Sequence, residues 1–336
     1  MKKMNITLRF LLTLIFVGFT LGTLSSCDSD SDDEAVLGDW EKRSDFAGVA
    51  RSAAVAFTID GKAYMGTGHS GSARLQDFWQ YDPDQNAWFR KADFPGAARS
   101  GAVGFAANGM GYIGTGYDGT NNLKDFWQYD PATDTWTQIA DFAGSARYGA
   151  VAMSIDEKGY VGAGYDGNYL KDFWQYDPAS GTWVEKVGLS GAKRVNGFAF
   201  VFNGKGYIGG GRNNGIFESD LLEYDPATGS WRNLKNLNET AREGEAYPSP
   251  RAFATAFVVN DKAYLVSGTN GAALSDVWEY DVASDLWVQK DPFEGSPREA
   301  AVGFAIGNYG YIATGASGTY RFDDLWRFDP TLDSDY

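Results

Sequence analysis

Cysteine and histidine are almost missing from this chain of 336 residues, each occurring once, as Cys27 and His69. One cysteine forms no internal disulfide, and one histidine builds no His-rich metal site. Most metalloenzyme and thiol chemistry is thereby removed. Basic residues are also in deficit: 29 Lys and Arg stand against 44 Asp and Glu, a formal net charge of −15. The electrostatic footprint of a nucleic-acid binder is therefore absent. No membrane-spanning helix is readable either, because the longest apolar run, Phe10 to about Gly22, falls short of the ~20 residues such a helix needs. What is abundant is glycine (42) and aromatics (11 Trp, 19 Tyr, 22 Phe) within a chain that is 43% hydrophobic. That composition is globular and favours many short strands joined by tight turns.

The first segment reads as an address. Lys2, Lys3 and Arg9 precede the apolar run, which leads to Leu24-Ser25-Ser26-Cys27. This resembles the lipobox of bacterial lipoproteins, in which the cysteine is lipidated and becomes the mature N-terminus; the lone Cys27 stands at that position. Asp28, Asp30, Asp32, Asp33 and Glu34 follow, a self-repelling polar run expected to act as a disordered tether. The expected organisation is residues 1–26 as signal peptide, 27–38 as tether and 39–336 as folded domain. The resemblance implies a lipid anchor in the bacterial envelope, with the outer membrane or cell surface favoured over the inner membrane.

From Trp40 onward the chain is a tandem array. Trp40, Trp88, Trp136, Trp183, Trp231 and Trp287 recur at intervals of 48, 48, 47, 48 and 56 residues. Arg51, Arg99, Arg147, Arg194, Arg251 and Arg298 keep step, as do Asp77, Asp125, Asp172, Asp220, Asp276 and Asp324. In the second unit, alternating runs fall at about Gly101–Ala107, Gly111–Gly114, Asp125–Tyr129 and Thr135–Ile139, with Asn108-Gly109 as a hairpin turn between the first two. Four antiparallel strands per ~50 residues is a propeller blade. The Gly/Ala-rich first strands suit the crowded axis, and the outer aromatics would fill the wedge between blades.

These glycine pairs, Tyr-Asp-Pro turns and closing Trp residues resemble the kelch family of β-propellers. The expected fold is an all-β, six-bladed kelch-type propeller. The last unit ends without a closing Trp while Trp40 is spare, so an N-terminal strand around Trp40 is expected to complete the sixth blade and hide its edge.

The loops between second and third strands differ from unit to unit while the framework repeats. The residue after the glycine pair is His69, Tyr117, Tyr165, Arg212, Thr269 or Ala316, and the next is Ser70, Asp118, Asp166, Asn213, Asn270 or Ser317. Variable loops on a rigid scaffold are where binding residues belong. The ligand-binding candidates are His69, Tyr117, Asp118, Tyr165, Asp166, Arg212, Asn213, Asn214 and Asn270, with Arg99, Arg147 and Arg251 added from the repeated arginines. Those arginines have a second reading, as braces to the repeated aspartates inside each blade. An insertion, about Asn236–Pro250, is expected as a flap or wall on the same face.

No catalytic constellation, metal site or cofactor is read from the sequence. The copper chemistry of some kelch propellers needs several histidines and a cysteine-crosslinked tyrosine, which this chain does not have. A Ser-His-Asp triad would have to use His69, which only replaces a repeat tyrosine. The expected function is a monomeric, membrane-anchored module binding a glycan or a protein on the variable face. The alternative is a sugar mutarotase of the sialic-acid type, with an arginine for the sugar carboxylate and Glu239, Glu243 or Glu245 as the acid–base group.

Overall fold

The computed structural model describes residues 38–332; Cys27, the leader and the acidic run lie outside the described residues. Those described form six four-stranded antiparallel sheets arranged as the blades of a propeller. From the axis outward, the first blade is Val55–Ile59, Lys62–Gly66, Phe78–Asp82 and Ala87–Lys91, and the second Val103–Ala107, Met110–Gly114, Phe126–Asp130 and Thr135–Ile139. The third is Val151–Ile155, Lys158–Gly162, Phe173–Asp177 and Thr182–Lys186. The fourth is Phe198–Phe202, Lys205–Gly209, Leu221–Asp225 and Ser230–Asn233, and the fifth Thr255–Val259, Lys262–Val266, Val277–Asp281 and Leu286–Lys290. In the sixth, Val302–Ile306, Tyr309–Ala313 and Leu325–Asp329 are joined by Asp39–Lys42 from the start of the array. Trp40 pairs with Phe328 in that sheet and packs its ring 4.9 Å from Phe293. The ring is thus closed by the two ends of the array, which leaves no sheet open at the seam.

Two backbone features mark the start of each inner strand and of each variable loop. In the second blade the inner strand begins at Val103, two residues later than the sequence pattern suggests, because Gly101 turns left-handed, and the residue two places before every inner strand does the same. Ala53, Gly101, Gly149, Asn196, Phe253 and Ala300 all have φ between 51° and 62°. Each donates its N–H to the carbonyl of its counterpart in the preceding blade, at 2.7–2.9 Å, and the six bonds form a closed circle around the axis. The left-handed conformation costs on the order of 1 kcal/mol at a non-glycine position, and the closed circle over-determines it. The second feature is the glycine opening each variable loop. At Gly164 φ is +97°, and a Cβ would lie 3.0 Å from the Tyr148 carbonyl oxygen and 3.1–3.2 Å from the Ala150 backbone. Only glycine meets both demands.

Between blades, aromatic rings fill the wedge. Trp136 on the second outer strand packs edge-on to Phe78 and Phe94 of the first blade, at 4.9 and 5.3 Å, and donates its indole N–H to the Ala92 carbonyl. Along the axis, Ala54, Ala56, Ala102, Gly104, Ala150, Ala152 and their counterparts leave a narrow channel of about 220 Å³.

The insertion corrects an expectation. Leu237 and Ser249 do sit near the face, donating to the Ser219 carbonyl and accepting from Asn270, respectively. Between them, however, Ala246 forms a β-bridge to Trp287 on the outermost strand of the fifth blade. Tyr247 packs into the core that contains Trp287 and Tyr280. The segment covers an outer strand edge, whose free backbone groups attract a further strand, and no flap reaches over the axis.

Candidate functional site

The six repeated arginines settle into one geometry. Each is fully buried and reaches across two strands to the aspartate opening the third strand of its own blade. In the third blade Arg147 donates to both oxygens of Asp172 at 2.5 and 2.8 Å, to the Ala163 and Ser145 carbonyls and to Ser145 Oγ. All five of its N–H groups are used, and Arg251 is satisfied in the same way by Asp276, Ser267 and Ser249. Arg99 binds Asp125 bidentately under the ring of Phe94. The indole of Trp127 adds a further bond to Asp125. Burial pushes the Asp125 carboxyl up, but Arg99 and Trp127 outweigh it and hold the group below the usual range. Arg99, Arg147 and Arg251 are therefore shut inside the blades and present no guanidinium to a ligand.

The free surface of the same face carries a different set. Beside the axis lies a cavity of about 550 Å³, lined chiefly by the loops and strand starts of the first three blades. Tyr117, Tyr148 and Tyr165 form one wall, with ring centroids 5.8 Å and 5.7 Å apart, and Tyr169 extends the row 5.0 Å beyond Tyr165. Ser100, Asn122, Asp166 and Asn196 supply polar groups, and Phe253 closes the lining from the circle around the axis. Arg74 lies over the ring of Tyr117 at 4.6 Å. Burial, and then the neighbouring tyrosines, push the Tyr148 hydroxyl up, so it remains a neutral donor. Asp166 is held low: burial would raise it, but hydrogen bonds from Ser145 and Asn168 and the charge of Arg147 prevail.

Of the residues picked from the sequence, the cavity gathers Tyr117, Tyr165 and Asp166. Asp118 is turned into its own loop, where it accepts the N–H groups of Thr120 and Asn121 at 2.7 Å. His69 sits on the neighbouring loop, its Nδ1 accepting from the N–H of Gly71, which leaves the proton on Nε2. Arg212 and Asn213 form a short hairpin with Ile216–Phe217, turning at Asn214 on the fourth blade. Asn270 is exposed on the fifth blade and bonds Ser249. Arg74, Ser100, Asn122, Tyr148, Asn196 and Phe253 were not among the sequence candidates. Part of the signal was present: the residues one and two places after each repeated arginine vary as freely as the loop tips, and they include Tyr148, Asn196 and Phe253. Among the described residues, no cluster of three or more His, Cys, Asp or Glu side chains could hold a metal ion.

The Kelch motif is matched at residues 116–143, 146–188 and 250–292, within the second, third and fifth blades. The fold is a six-bladed β-propeller that carries Kelch motifs. The propeller also superposes on the solved structure of YjhT with a TM-score of 0.71. That match covers 84% of this chain and 96% of the other at 16% identity, a likeness of fold alone. No curated protein sequence matches the chain. A propeller with Kelch motifs suggests a binding or interaction module.

Proposed function

We propose that the protein is an envelope-anchored module that binds a glycan in the cavity beside the propeller axis. The observation that carries this reading is the tyrosine row Tyr117–Tyr148–Tyr165 opposite short polar side chains in one concave site. Aromatic faces take the apolar face of a sugar ring, and Ser, Asn and Asp groups take its hydroxyls. The framework does not require these residues, since other blades carry different ones at the equivalent places. Residues 39–336 immobilised against a glycan array should retain a defined set of saccharides, and Tyr117→Ala with Tyr165→Ala should abolish retention. Unchanged retention by that double variant would move the site elsewhere, and capture of a protein ligand instead would replace the glycan reading.

Anchoring rests on Leu24-Ser25-Ser26-Cys27. Cys27→Ser should abolish lipid labelling and release the protein from the membrane fraction; full retention would sink the anchor. A sugar mutarotase is the second reading, favoured by Arg74 and Asp166 sharing one cavity. Against it, Glu239, Glu243 and Glu245 do not line the cavity, and the bonded, low-lying Asp166 is a weak base. Acceleration of anomer exchange, followed by NMR on a retained sugar, would establish catalysis.

A further inference from the structure

We infer that the ligand of this cavity is an anionic saccharide, whose carboxylate or sulfate group pairs with Arg74; this rests on the glycan reading above. Among the described residues, the six framework arginines and Arg43, Arg90, Arg232 and Arg327 each have a carboxylate at ion-pair distance. Arg74, Arg212, Arg242 and Arg321 have none. Three of these four stand on variable loops of one face. In a protein of net charge −15, carboxylates are plentiful, so leaving cations unpaired on that face is a selective feature of the site.

Arg74 is the one that reaches the cavity. It is half-buried, held in a hairpin by a β-bridge to His69 and stacked on Tyr117, yet its buried Nε has no hydrogen-bond partner. Gly119 makes room for it, since a Cβ there would lie 2.7 Å from one guanidinium nitrogen. A preorganised, half-desolvated guanidinium with open N–H groups suits an oxyanion presented bidentately. The nearby carboxylates are not at ion-pair distance: Asp118 feels the charge of Arg74 but turns its oxygen to its own loop N–H groups, and Asp166 accepts from Asn168. Arg321, whose Nε is also buried without a partner, reaches the His69 loop at Gly71, and its charge, like that of Arg74, acts on His69. The tyrosine row takes the sugar ring, and the acidic remainder of the surface repels anions that lack a ring to stack.

The test measures binding of the purified protein to matched oligosaccharides: galacturonic acid oligomers, the neutral galactose oligomers, and sulfated galactose oligomers, with inorganic sulfate as a ring-free anion. One charged series should bind roughly 10- to 100-fold tighter than the neutral one, the span of a hydrogen-bonded charge. Which series does so identifies carboxylate or sulfate. Arg74→Gln should remove that preference, so that the charged and neutral series bind this variant with equal affinity. Arg74→Lys should recover part of it, and Arg242→Gln, on the distant insertion, should change nothing. Equal affinity for charged and neutral forms, or an unaffected Arg74→Gln, overturns the anionic inference and leaves the glycan reading standing. Sulfate binding as tight as any saccharide overturns the saccharide part. Absence of binding on every arm overturns both.

Discussion

Arg147 and Arg74 are the same residue type on the same face of the ring, and they live in opposite surroundings. Arg147 has all five N–H groups satisfied inside a blade, whereas Arg74 stacks on the ring of Tyr117 and has no carboxylate at ion-pair distance. The first recurs in six blades because every blade must tie its inner strand to its third strand. The second stands at a loop position that only the sixth blade also fills with arginine, Arg321, while the others carry Asn122, Tyr169, Phe217 and Ala273, because nothing in the blade requires it. Repetition within one chain therefore separates framework from site without any second sequence. The fourth blade marks the limit of the rule: Leu222 replaces the usual tryptophan, and Asp220 keeps one buried oxygen without a partner. Arg194 there reaches a single oxygen of Asp220, so the framework tolerates losing both the indole bond and the second guanidinium bond of the brace.

The comparison is broken most severely at the seam. Removing residues 39–46 takes away the outer strand of the sixth blade and Trp40 with it. It also removes Phe46, which packs against Trp79 and Trp88 of the first blade. The expected result is loss of cooperative unfolding or a fall of many degrees in Tm; a parental Tm would contradict closure by this strand. Next comes Arg147→Ala, which strands the carboxylate of Asp172 in a partly buried site. The expected cost is about 3–5 kcal/mol, read from chemical denaturation. Removing only the indole donor, Trp174→Phe, should cost nearer 1 kcal/mol, the state the fourth blade already tolerates.

A pH experiment sharpens the contrast between blades. Gln80, Gln128 and Gln175 donate to the tyrosine hydroxyls of the first three blades, whereas the fourth has Glu223 at that place. Burial pushes the Glu223 carboxyl up, but hydrogen bonds from Arg232, Lys205 and Tyr207 outweigh it and bring it down from 4.5 to about 2. A lowered folded-state value contributes stability that is fully present above the unfolded value of 4.5 and is lost as pH falls toward 2. Glu223→Gln should therefore flatten the acid limb of the stability curve between those values. An unchanged limb would mean that other carboxylates carry it. The smallest effect on folding belongs to the site: Tyr117→Ala with Tyr165→Ala should cost about 1 kcal/mol or less while removing ligand retention. Early melting of that double variant would place both tyrosines in the framework.

Sequence alone determined the repeat, the blade count, the four strands per blade and the closure by Trp40. These follow from local periodicity and from residue types that only one position in a blade accommodates, such as the left-handed glycine at Gly164. The paired series of arginine and aspartate also pointed to a brace, since both occurred in every unit. Three things were decided by tertiary structure. The circle of hydrogen bonds through Ala53, Gly101, Gly149, Asn196, Phe253 and Ala300 joins residues far apart in the chain, Ala53 to Ala300 at the seam, and has no local signature. The insertion went to the edge beside Trp287 because an unpaired strand edge was available there, which no count of residues reveals. The cavity, finally, is assembled from loops of neighbouring blades. Tyr117 and Tyr165 differ visibly from their counterparts along the chain, but only the angle between adjacent blades brings Arg74 onto Tyr117 and inserts Tyr148 between the two.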